Sequence, residues 1–509
     1  MTAQTAIPAP PIDLGPVLPE VILAGVAMLL LVGESIWKRP PRWVGPASSL
    51  AAVAGAAAAS LWLWTLPVVT SGAAGSAGTE LAGNAAAQPF TVLSGMVAAD
   101  RFAVFLRLVI LAVAAGAVLL AAQYHRAAPE EHRAEFYPLL LLAASGMTLL
   151  ASAGNLLVLF LALETLSLAL YVLTGFSPRR FASQEGSVKY FLLGAFSSAF
   201  LLYGIAMAYG ATGTTSLGGI ARALSGQTEP SAFALVAMGL LTVGLGFKVA
   251  AVPFHMWTPD VYQGAPTPVT AFMSAGTKVA GFAALLRVFL VALSPLRWDW
   301  IPFMWALAAL TMVVGSVLAI AQTDVKRMLA YSSIAHAGFI LVGVTAASGE
   351  GVSAAMFYLA AYAAMILGAF GVVMLVSGRG EERTGLTAYA GLASRSPLLA
   401  ALLSLFLLSL AGIPPTAGFI AKVAVFGAVV RAGFWPLALV AVLASVVAAF
   451  FYIRVIVLMY MQEAEETGAL AVGPVAGTAV VAPAVLTLLF GVFPAILFGF
   501  LDSAAVLRW

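Results

Sequence analysis

Charged residues are scarce in this sequence of 509 residues. Lys, Arg, Asp and Glu together make up 9% of the chain, against about 25% in an average soluble domain. Hydrophobic residues make up 62%, and the mean hydropathy is +1.03. This balance excludes an ordinary soluble domain and predicts an integral membrane protein. The net charge of +3 gives no argument for nucleic acid as a partner.

Cysteine is absent altogether. A disulfide, a thiolate-bound iron–sulfur cluster and a zinc ribbon are therefore excluded. No two of the four histidines share a predicted membrane helix, which argues against haem ligation by a histidine pair. No glycine-rich phosphate-binding motif follows a predicted strand. We expect this chain to hold neither a cofactor nor a metal.

Fourteen apolar runs are each long enough to cross about 30 Å of hydrocarbon. They predict an all-α polytopic membrane protein with helices at 16–37, 43–68, 101–123, 136–152, 154–175, 186–210, 231–259, 266–293, 301–321, 324–346, 352–377, 396–429, 434–461 and 473–500. Residues 1–15 are interpreted as an exposed leader, because they lack the basic start of a secretory signal. The segment 70–99, rich in Gly, Ala and Ser, is interpreted as a mobile outer loop without an assigned function.

The basic residues are divided unevenly between the two sides of these helices. Lys and Arg accumulate in short cytoplasmic loops. An N-terminus placed outside assigns thirteen of them to inner loops and five to outer loops, helix edges and the tail. This division predicts that both termini face outward, and it supports an even number of helices.

A few ionisable residues fall inside predicted helices, where a charge costs about 2.5 to 3.5 kcal/mol on insertion scales. They are Glu164 in the fifth helix, Lys248 in the seventh, Lys278 in the eighth, His336 in the tenth and Lys422 in the twelfth. Apart from Glu34 near the end of the first helix, Glu164 is the only acid assigned to a helix. Three arginines, Arg107, Arg287 and Arg454, are expected to snorkel towards helix ends or to pair.

The seventh and twelfth helices also share a proline break beside the lysine. Pro253 follows Lys248, and Pro414 and Pro415 precede Lys422. The spacing predicts two inverted five-helix repeats, helices four to eight and nine to thirteen, a construction by which transporters place an ion path at the midplane. We expect polar, hydrated cavities at both breaks. The predicted units are 1–123, a leader and three helices; 124–293 and 294–461, the repeats; and 462–509, the last helix.

The buried groups suggest a proton relay. A buried lysine can bind and release a proton near neutral pH, because loss of water disfavours its charged form. A carboxylate about 6 Å away would oppose that effect by about 2.8 kcal/mol at an effective dielectric of about 20. Movement of Glu164 would thus switch Lys248 between charged and neutral forms, and Lys278, His336 and Lys422 would complete the relay. The alternative is that permanent ion pairs, or for His336 the contacts of a core histidine, only hold helices together.

Two polar residues, His255 and Asp260, lie at the inner end of the first break. Histidine and aspartate commonly hydrogen-bond backbone groups that a helix break sets free. We favour this role over proton transfer for His255. Asp260 follows Pro259 directly and is interpreted as a turn or cap residue.

Four longer stretches carry a recognisable signature. They are KVAAVPFHMWTPDVYQGAPTPVTAF, SVKYFLLGAFSSAFLLYGIAMAYG, DVKRMLAYSSIAHAGFILVG and LSLAGIPPTAGFIAK. Together they resemble the subunit N family of the proton-pumping NADH:quinone oxidoreductase, respiratory complex I, over roughly residues 100–460. The PxHxWxPD core is also that of the sister subunits L and M and of Mrp-type cation/proton antiporters. The motif TPDVYQGAP favours subunit N over subunits L and M. Lys422 also favours N, because subunit M carries glutamate at that position.

The resemblance implies an antiporter-like membrane-arm subunit of a bacterial inner membrane, with both termini on the periplasmic side. It implies that Glu164, Lys248, Lys278 and Lys422 handle protons, driven by electron transfer from NADH to quinone elsewhere. FMN, iron–sulfur clusters and quinone would belong to partner subunits, and neighbouring M-type and small K-type subunits would be the partners. Two alternatives stay open: a stand-alone Mrp-type antiporter, and a purely structural membrane subunit.

Overall fold

The computed structural model describes residues 14–37, 41–65, 91–93, 95–127, 135–377, 383–464, 473–505 and 507. Most of the predicted leader and of the predicted loop 70–99 lies outside the described residues. So do some of the basic residues that were counted for orientation, namely Lys38, Arg39, Arg133, Arg379 and Arg508. Within the described part, the chain is helical apart from one short hairpin.

Helices follow one another along the chain, because a backbone in hydrocarbon can satisfy its hydrogen bonds only within the protein. They are α1 (Leu18–Ile36), α2 (Val44–Thr65), α3 (Arg101–Ala127), α4 (Phe136–Ala151), α5 (Leu156–Thr174), α6 (Phe181–Thr212), α7 (Leu217–Ser225), α8 (Ala232–Val249), α9 (Trp257–Gly264), α10 (Thr267–Arg287), α11 (Arg297–Ile320), α12 (Val325–Thr345), α13 (Gly349–Ser377), α14 (Leu392–Arg395), α15 (Pro397–Ala411), α16 (Ala417–Arg431), α17 (Trp435–Met461), α18 (Pro474–Val492) and α19 (Pro494–Ala504). The 3-10 turns Gly15–Val17, Ser294–Leu296 and Leu386–Tyr389 and the π-helical turn Val288–Ala292 complete the helical elements. Strands β1 (Thr91–Val92) and β2 (Val97–Ala98) pair antiparallel.

The all-α polytopic fold class is confirmed, since a described helix or a pair of shorter helices lies at every predicted span. Eleven described helices are long and apolar enough to cross a membrane, and a bent pair brings the number to as many as twelve. Helices α4 and α15 are apolar but shorter. The total of fourteen crossings therefore stays a prediction.

Local structure departs from the predicted helices in two places. The last predicted helix, 473–500, is not continuous, because α18 and α19 meet at an angle of 84°. Pro494 starts α19 and has no N–H with which to continue the hydrogen bonding of α18. Between the sixth and seventh predicted helices, α7 forms a short amphipathic helix that buries Leu217, Ile220 and Leu224.

The two proline breaks have the same backbone geometry. Helix α8 is followed by Ala250 at φ +61°, and α15 is followed by Gly412 at φ +86°. Two residues further on, each break contains a cis proline bond, Val252–Pro253 in the first and Pro414–Pro415 in the second. The number of residues from Ala250 to Gly412 therefore equals the number from Pro253 to Pro415. We call this common separation the break spacing.

A second pair of matching features lies at the starts of α5 and α12. Asn155 and Asp324 cap these helices with their side chains. Asn155 forms an isolated β-bridge with Ser216, and Asp324 forms one with Gly385. Asn155 is as far from Asp324 along the chain as Ser216 is from Gly385, and we call this separation the bridge spacing. In both sets, one member of each pair lies in 124–293 and the other lies in 294–461, the two segments that the sequence predicts to be repeats.

Two arginines inside the bundle form buried ion pairs. The Nε of Arg107 lies 3.0 Å from a carboxylate oxygen of Glu20. Arg287 donates to both carboxylate oxygens of Asp100, at 2.9 and 2.7 Å. Both arginine side chains are 0% exposed, so they pair and do not snorkel. The prediction that Glu34 and Glu164 are the only acids within helices is wrong, because Glu20 lies in α1.

We expect Arg107→Met to destabilise the protein by about 3 to 5 kcal/mol, because Glu20 would keep a buried charge without its partner. Arg431 and Glu350 supply the control, since this pair is 62% and 61% exposed and an exposed pair contributes about 1 kcal/mol or less. The measurement is the thermal unfolding midpoint of the purified protein. Equal losses for Arg107→Met and Arg431→Met would contradict the expectation that breaking the buried pair costs more than breaking the exposed pair. The double variant Glu20→Leu with Arg107→Met should recover part of the loss.

Candidate functional site

Lys248 lies in the last turn of α8, directly before the first break, and is 3% exposed. Its Nζ donates to Ser167 Oγ of α5 at 2.9 Å and to the Tyr190 hydroxyl of α6 at 3.4 Å. Within the described residues no carboxylate contacts it. Neutral hydroxyl groups therefore hold this lysine.

Glu164 lies on α5, one turn before Ser167. Its side chain is half-buried, and its carboxylate accepts a short hydrogen bond from Ser198 of α6. Ser198, which donates to Glu164, and Ser167, which accepts from Lys248, both line a cavity of about 10 Å³. That volume is close to what one water molecule requires. The geometry thus connects Glu164 to Lys248 through hydroxyl groups and not through a direct ion pair.

Three side chains satisfy the backbone that the first break sets free. Lys278 of α10, which is 1% exposed, donates from Nζ to the Val249 carbonyl at 2.9 Å. The indole of Trp257 donates to a carbonyl in the last turn of α8 at 3.1 Å. Thr311 Oγ1 of α11 accepts from the Val252 amide at 2.9 Å. Lys278 therefore lies directly against the end of the helix that carries Lys248.

Lys422 occupies the second break. It lies in α16, is 4% exposed, and donates to the Ala411 carbonyl at 2.8 Å and to Ser445 Oγ at 2.7 Å. A Cβ on Gly412 would lie 2.8 Å from the Lys422 side chain. Glycine is favoured at Gly412 for two reasons, its positive φ and the close approach of the Lys422 side chain.

The lysines of the two breaks do not occupy equivalent positions. At the break spacing, Ala411 matches Val249, so that a lysine caps the same carbonyl in both breaks. In the first break this lysine is Lys278, which comes from the next membrane helix, α10. In the second break it is Lys422, which comes from α16, the second half of the broken helix itself. By contact, Lys422 therefore resembles Lys278 more than Lys248.

His336 lies in α12 and is 1% exposed. Its Nδ1 is 2.8 Å from the Tyr358 hydroxyl, and its Nε2 is 3.2 Å from the Tyr452 hydroxyl. The Phe339 ring contacts both the imidazole, at 5.8 Å between centroids, and Lys422 Nζ, at 4.9 Å. A histidine with a hydroxyl on each ring nitrogen can receive a proton on one side and release one on the other. The same contacts would also satisfy a core histidine.

The helix that follows the first break, α9, carries an ion-pair network. Asp260 accepts from Arg327 at 2.6 Å and from Lys189 at 2.7 Å. Burial raises the pKa of Asp260, but these two hydrogen bonds outweigh it, and the pKa lies below its usual value. Asp260 thereby ties α9 to α6 and α12. The carbonyl of the half-buried His255 accepts from the Thr258 amide at 3.0 Å, in the turn that enters α9.

Sequence reasoning missed several partners of the site. Ser167 could have been predicted as a partner, because it lies three residues after Glu164 and therefore on the same helix face. Tyr358 and Tyr452 come from distant helices and give no local signal. Lys326 is one of the thirteen basic residues that the charge division assigns to inner loops. It lies in the first turn of α12, fully buried, and donates to the Ala265 carbonyl at 2.6 Å. Among the described residues, no cluster of three His, Asp or Glu side chains forms a candidate metal site.

Comparisons with known proteins point to one family. A family model described as NADH:quinone oxidoreductase/Mrp antiporter, TM, matches residues 153–448. NADH-quinone oxidoreductase subunit N of Acidothermus cellulolyticus is 44% identical over 524 residues, covering 98% of this chain and 97% of that protein. Its namesake from Rhodococcus opacus is 54% identical over 375 residues, covering 73% and 69%. A chain of respiratory complex I from Thermus thermophilus with bound aureothin superposes with a TM-score of 0.76 at 36% identity, covering 94% of this chain and 98% of that one.

Thr311→Val should loosen the first break, because the buried Val252 amide would lose its acceptor at a cost of about 1 to 3 kcal/mol. Thr345→Val is the matched control, since among the described residues this buried hydroxyl bonds only to the Leu341 carbonyl of its own helix. Hydrogen exchange of residues 250–256 in the purified protein measures the effect. Faster exchange in Thr311→Val alone is expected, and equal exchange in both variants would contradict the assigned contact.

Proposed function

Because this chain belongs to the subunit N family of NADH-quinone oxidoreductase, we propose that it moves protons across the bacterial inner membrane through the buried groups from Glu164 to Lys422. As a membrane-arm subunit of that complex, it performs no redox step itself. Electrons pass from NADH to quinone in other subunits, which carry the FMN and the iron–sulfur clusters.

One observation carries the proposed route: three lysines are buried without a carboxylate in contact. Lys248, Lys278 and Lys422 are at most 4% exposed, and hydroxyl and carbonyl oxygens hold them. The fully buried arginines of this bundle, by contrast, each pair with an acid. Loss of water disfavours a lysine's charge, and no contacting carboxylate restores it. Such lysines are suited to gain and lose protons, and poorly suited to serve as permanent ion pairs.

The proposed roles follow the order of contacts. Glu164 modulates Lys248 through the serine-lined gap, Lys248 and Lys278 are the central carriers, and Lys422 is the terminal carrier towards the periplasm. His336 bridges the two halves. The Tyr362 ring lies 5.1 Å from the His336 imidazole between centroids, and the Tyr362 hydroxyl pairs with Ser333. We propose that these hydroxyls, with water that buried polar groups usually bind, connect Lys278 to His336.

The architecture that we propose has two inverted repeats, 124–293 and 294–461, flanked by the units 1–123 and 462–509, with both termini in the periplasm. The matching breaks, which share one spacing, and the matching bridges, which share another, support the repeats. An odd number of helices per repeat makes the two orientations opposite. The breaks at Pro253 and at Pro414–Pro415 would then open towards opposite sides.

A neighbouring subunit is expected to cover the face of α5 that carries Glu164. On that face Leu161 is 61% exposed and Leu168 is 55% exposed, one turn on either side of the carboxylate. An M-type or a K-type membrane-arm subunit would bury this face and could thereby set the position of Glu164. The stand-alone Mrp-type antiporter is the weaker candidate, because two relatives that span almost the full chain at 44% and 43% identity are subunits N.

Lys248→Arg tests the carrier role, because arginine keeps the positive charge and the hydrogen bonds but does not release its proton in proteins. We expect the assembled complex to pump far fewer protons per electron, with a loss of tenfold or more in the flux through this subunit. Lys189→Arg is the control, since Lys189 is 42% exposed and paired with Asp260 and Glu185. The readout is the proton-to-electron ratio in proteoliposomes, with assembly checked on native gels. A normal ratio in Lys248→Arg would favour the structural alternative.

A further inference from the structure

An apolar groove opens between α2, α3, α13, α18 and α19, on elements that contribute none of the proposed proton carriers. Its volume is about 730 Å³, within the range of about 300 to 1,000 Å³ of ligand pockets. Of its lining residues in the described part of the chain, only Thr65 and Thr478 carry hydroxyl groups. Along α3 the groove extends from Phe105 to Leu119, about 21 Å at 1.5 Å per residue. This length exceeds one leaflet of the hydrocarbon core, about 15 Å.

One end of this groove combines aromatic rings with an arginine. The bend before α19 places Phe500 against Trp64, with ring centroids 6.2 Å apart. The guanidinium of Arg101, the first residue of α3, lies 5.4 Å from the centroid of the Trp64 ring. Arg101 therefore sits at the rim of the groove, one turn before Phe105. Tryptophan and arginine in this arrangement are typical of the level of lipid headgroups.

Arg101 has spare hydrogen-bonding capacity. Its buried Nε has no hydrogen-bond partner among the described residues, whereas Arg107 and Arg287 each hold a carboxylate. The neighbouring acid, Asp100, is already bound at both oxygens by Arg287. A guanidinium in this state is suited to a phosphate oxygen, to which it makes charge-assisted hydrogen bonds.

We propose that this groove binds an anionic phospholipid, with an acyl chain along α3 and the phosphate on Arg101. A transmembrane helix of another subunit is the alternative occupant, but an apolar helix would leave the unpaired Nε of Arg101 at the rim without an acceptor. An isoprenoid quinone could place its tail in the groove, but the described rim offers its neutral headgroup a cation and not a polar pocket. An apolar groove with a cation at its rim favours a phospholipid of net negative charge.

The test uses the intact complex, depleted of lipid in detergent and then titrated with phosphatidylglycerol or phosphatidylcholine. Native mass spectrometry counts the lipids retained. Arg101→Gln should lower phosphatidylglycerol retention at this site about tenfold and abolish the preference over phosphatidylcholine. Arg297→Gln is the matched control, because Arg297 also starts a helix and lies 5.0 Å from a tryptophan ring, that of Trp298, but does not line the groove.

A second variant separates the chain site from the headgroup site. Ala112→Phe fills the middle of the groove and should reduce retention of both lipids, whereas Arg101→Gln affects only the anionic one. Equal retention of phosphatidylglycerol by wild type, Arg101→Gln and Ala112→Phe would overturn the proposal. Co-purification of quinone that is lost on Ala112→Phe but unchanged by Arg101→Gln would overturn it as well.

Discussion

The burial of three lysines without a carboxylate in contact is the constraint on which the rest of the site depends. A charged ammonium group inside an apolar bundle requires oxygen ligands, and an unbroken helix offers its neighbours side-chain hydroxyls but hardly any free backbone carbonyls. Hydroxyl groups hold Lys248, and the two proline breaks supply carbonyls to Lys278 and Lys422. Val249 and Ala411 end half-helices, and their carbonyls lie at the negative ends of the helix dipoles. Such a partner stabilises a cation without fixing its charge as firmly as a carboxylate does.

The two halves of the bundle share a backbone plan but not the same chemistry. The breaks match residue by residue, yet at the break spacing Lys248 corresponds to Leu410, and Lys422 corresponds to Asp260. At the bridge spacing, Ser167 corresponds to His336. Matching backbone positions thus carry different polar groups. The proposed proton route accordingly has two different ends, which a route with a direction requires.

Much of the fold and of the candidate site could be predicted from the sequence, because helices, proline breaks and buried lysines leave local signals. Apolar runs predicted the helices, proline predicted both breaks, and lysines within apolar runs marked the site. Contacts between distant segments could not be predicted in this way. Tyr452 reaches His336 across 116 residues, and the acid that pairs with Arg107 is found only when α1 packs on α3. Lys326 beside Arg327 looks like a charged loop, and only packing against Ala265 shows that it is buried.

The most direct test of the account is whether lysines change charge while the complex works. Infrared difference spectra of the membrane-embedded complex, prepared with isotope-labelled lysine, can follow the ammonium and amine bands when NADH is added. The account predicts a reversible loss of lysine ammonium signal during turnover, from side chains that exchange slowly with deuterated solvent. Full proton pumping with unchanged lysine bands would contradict it.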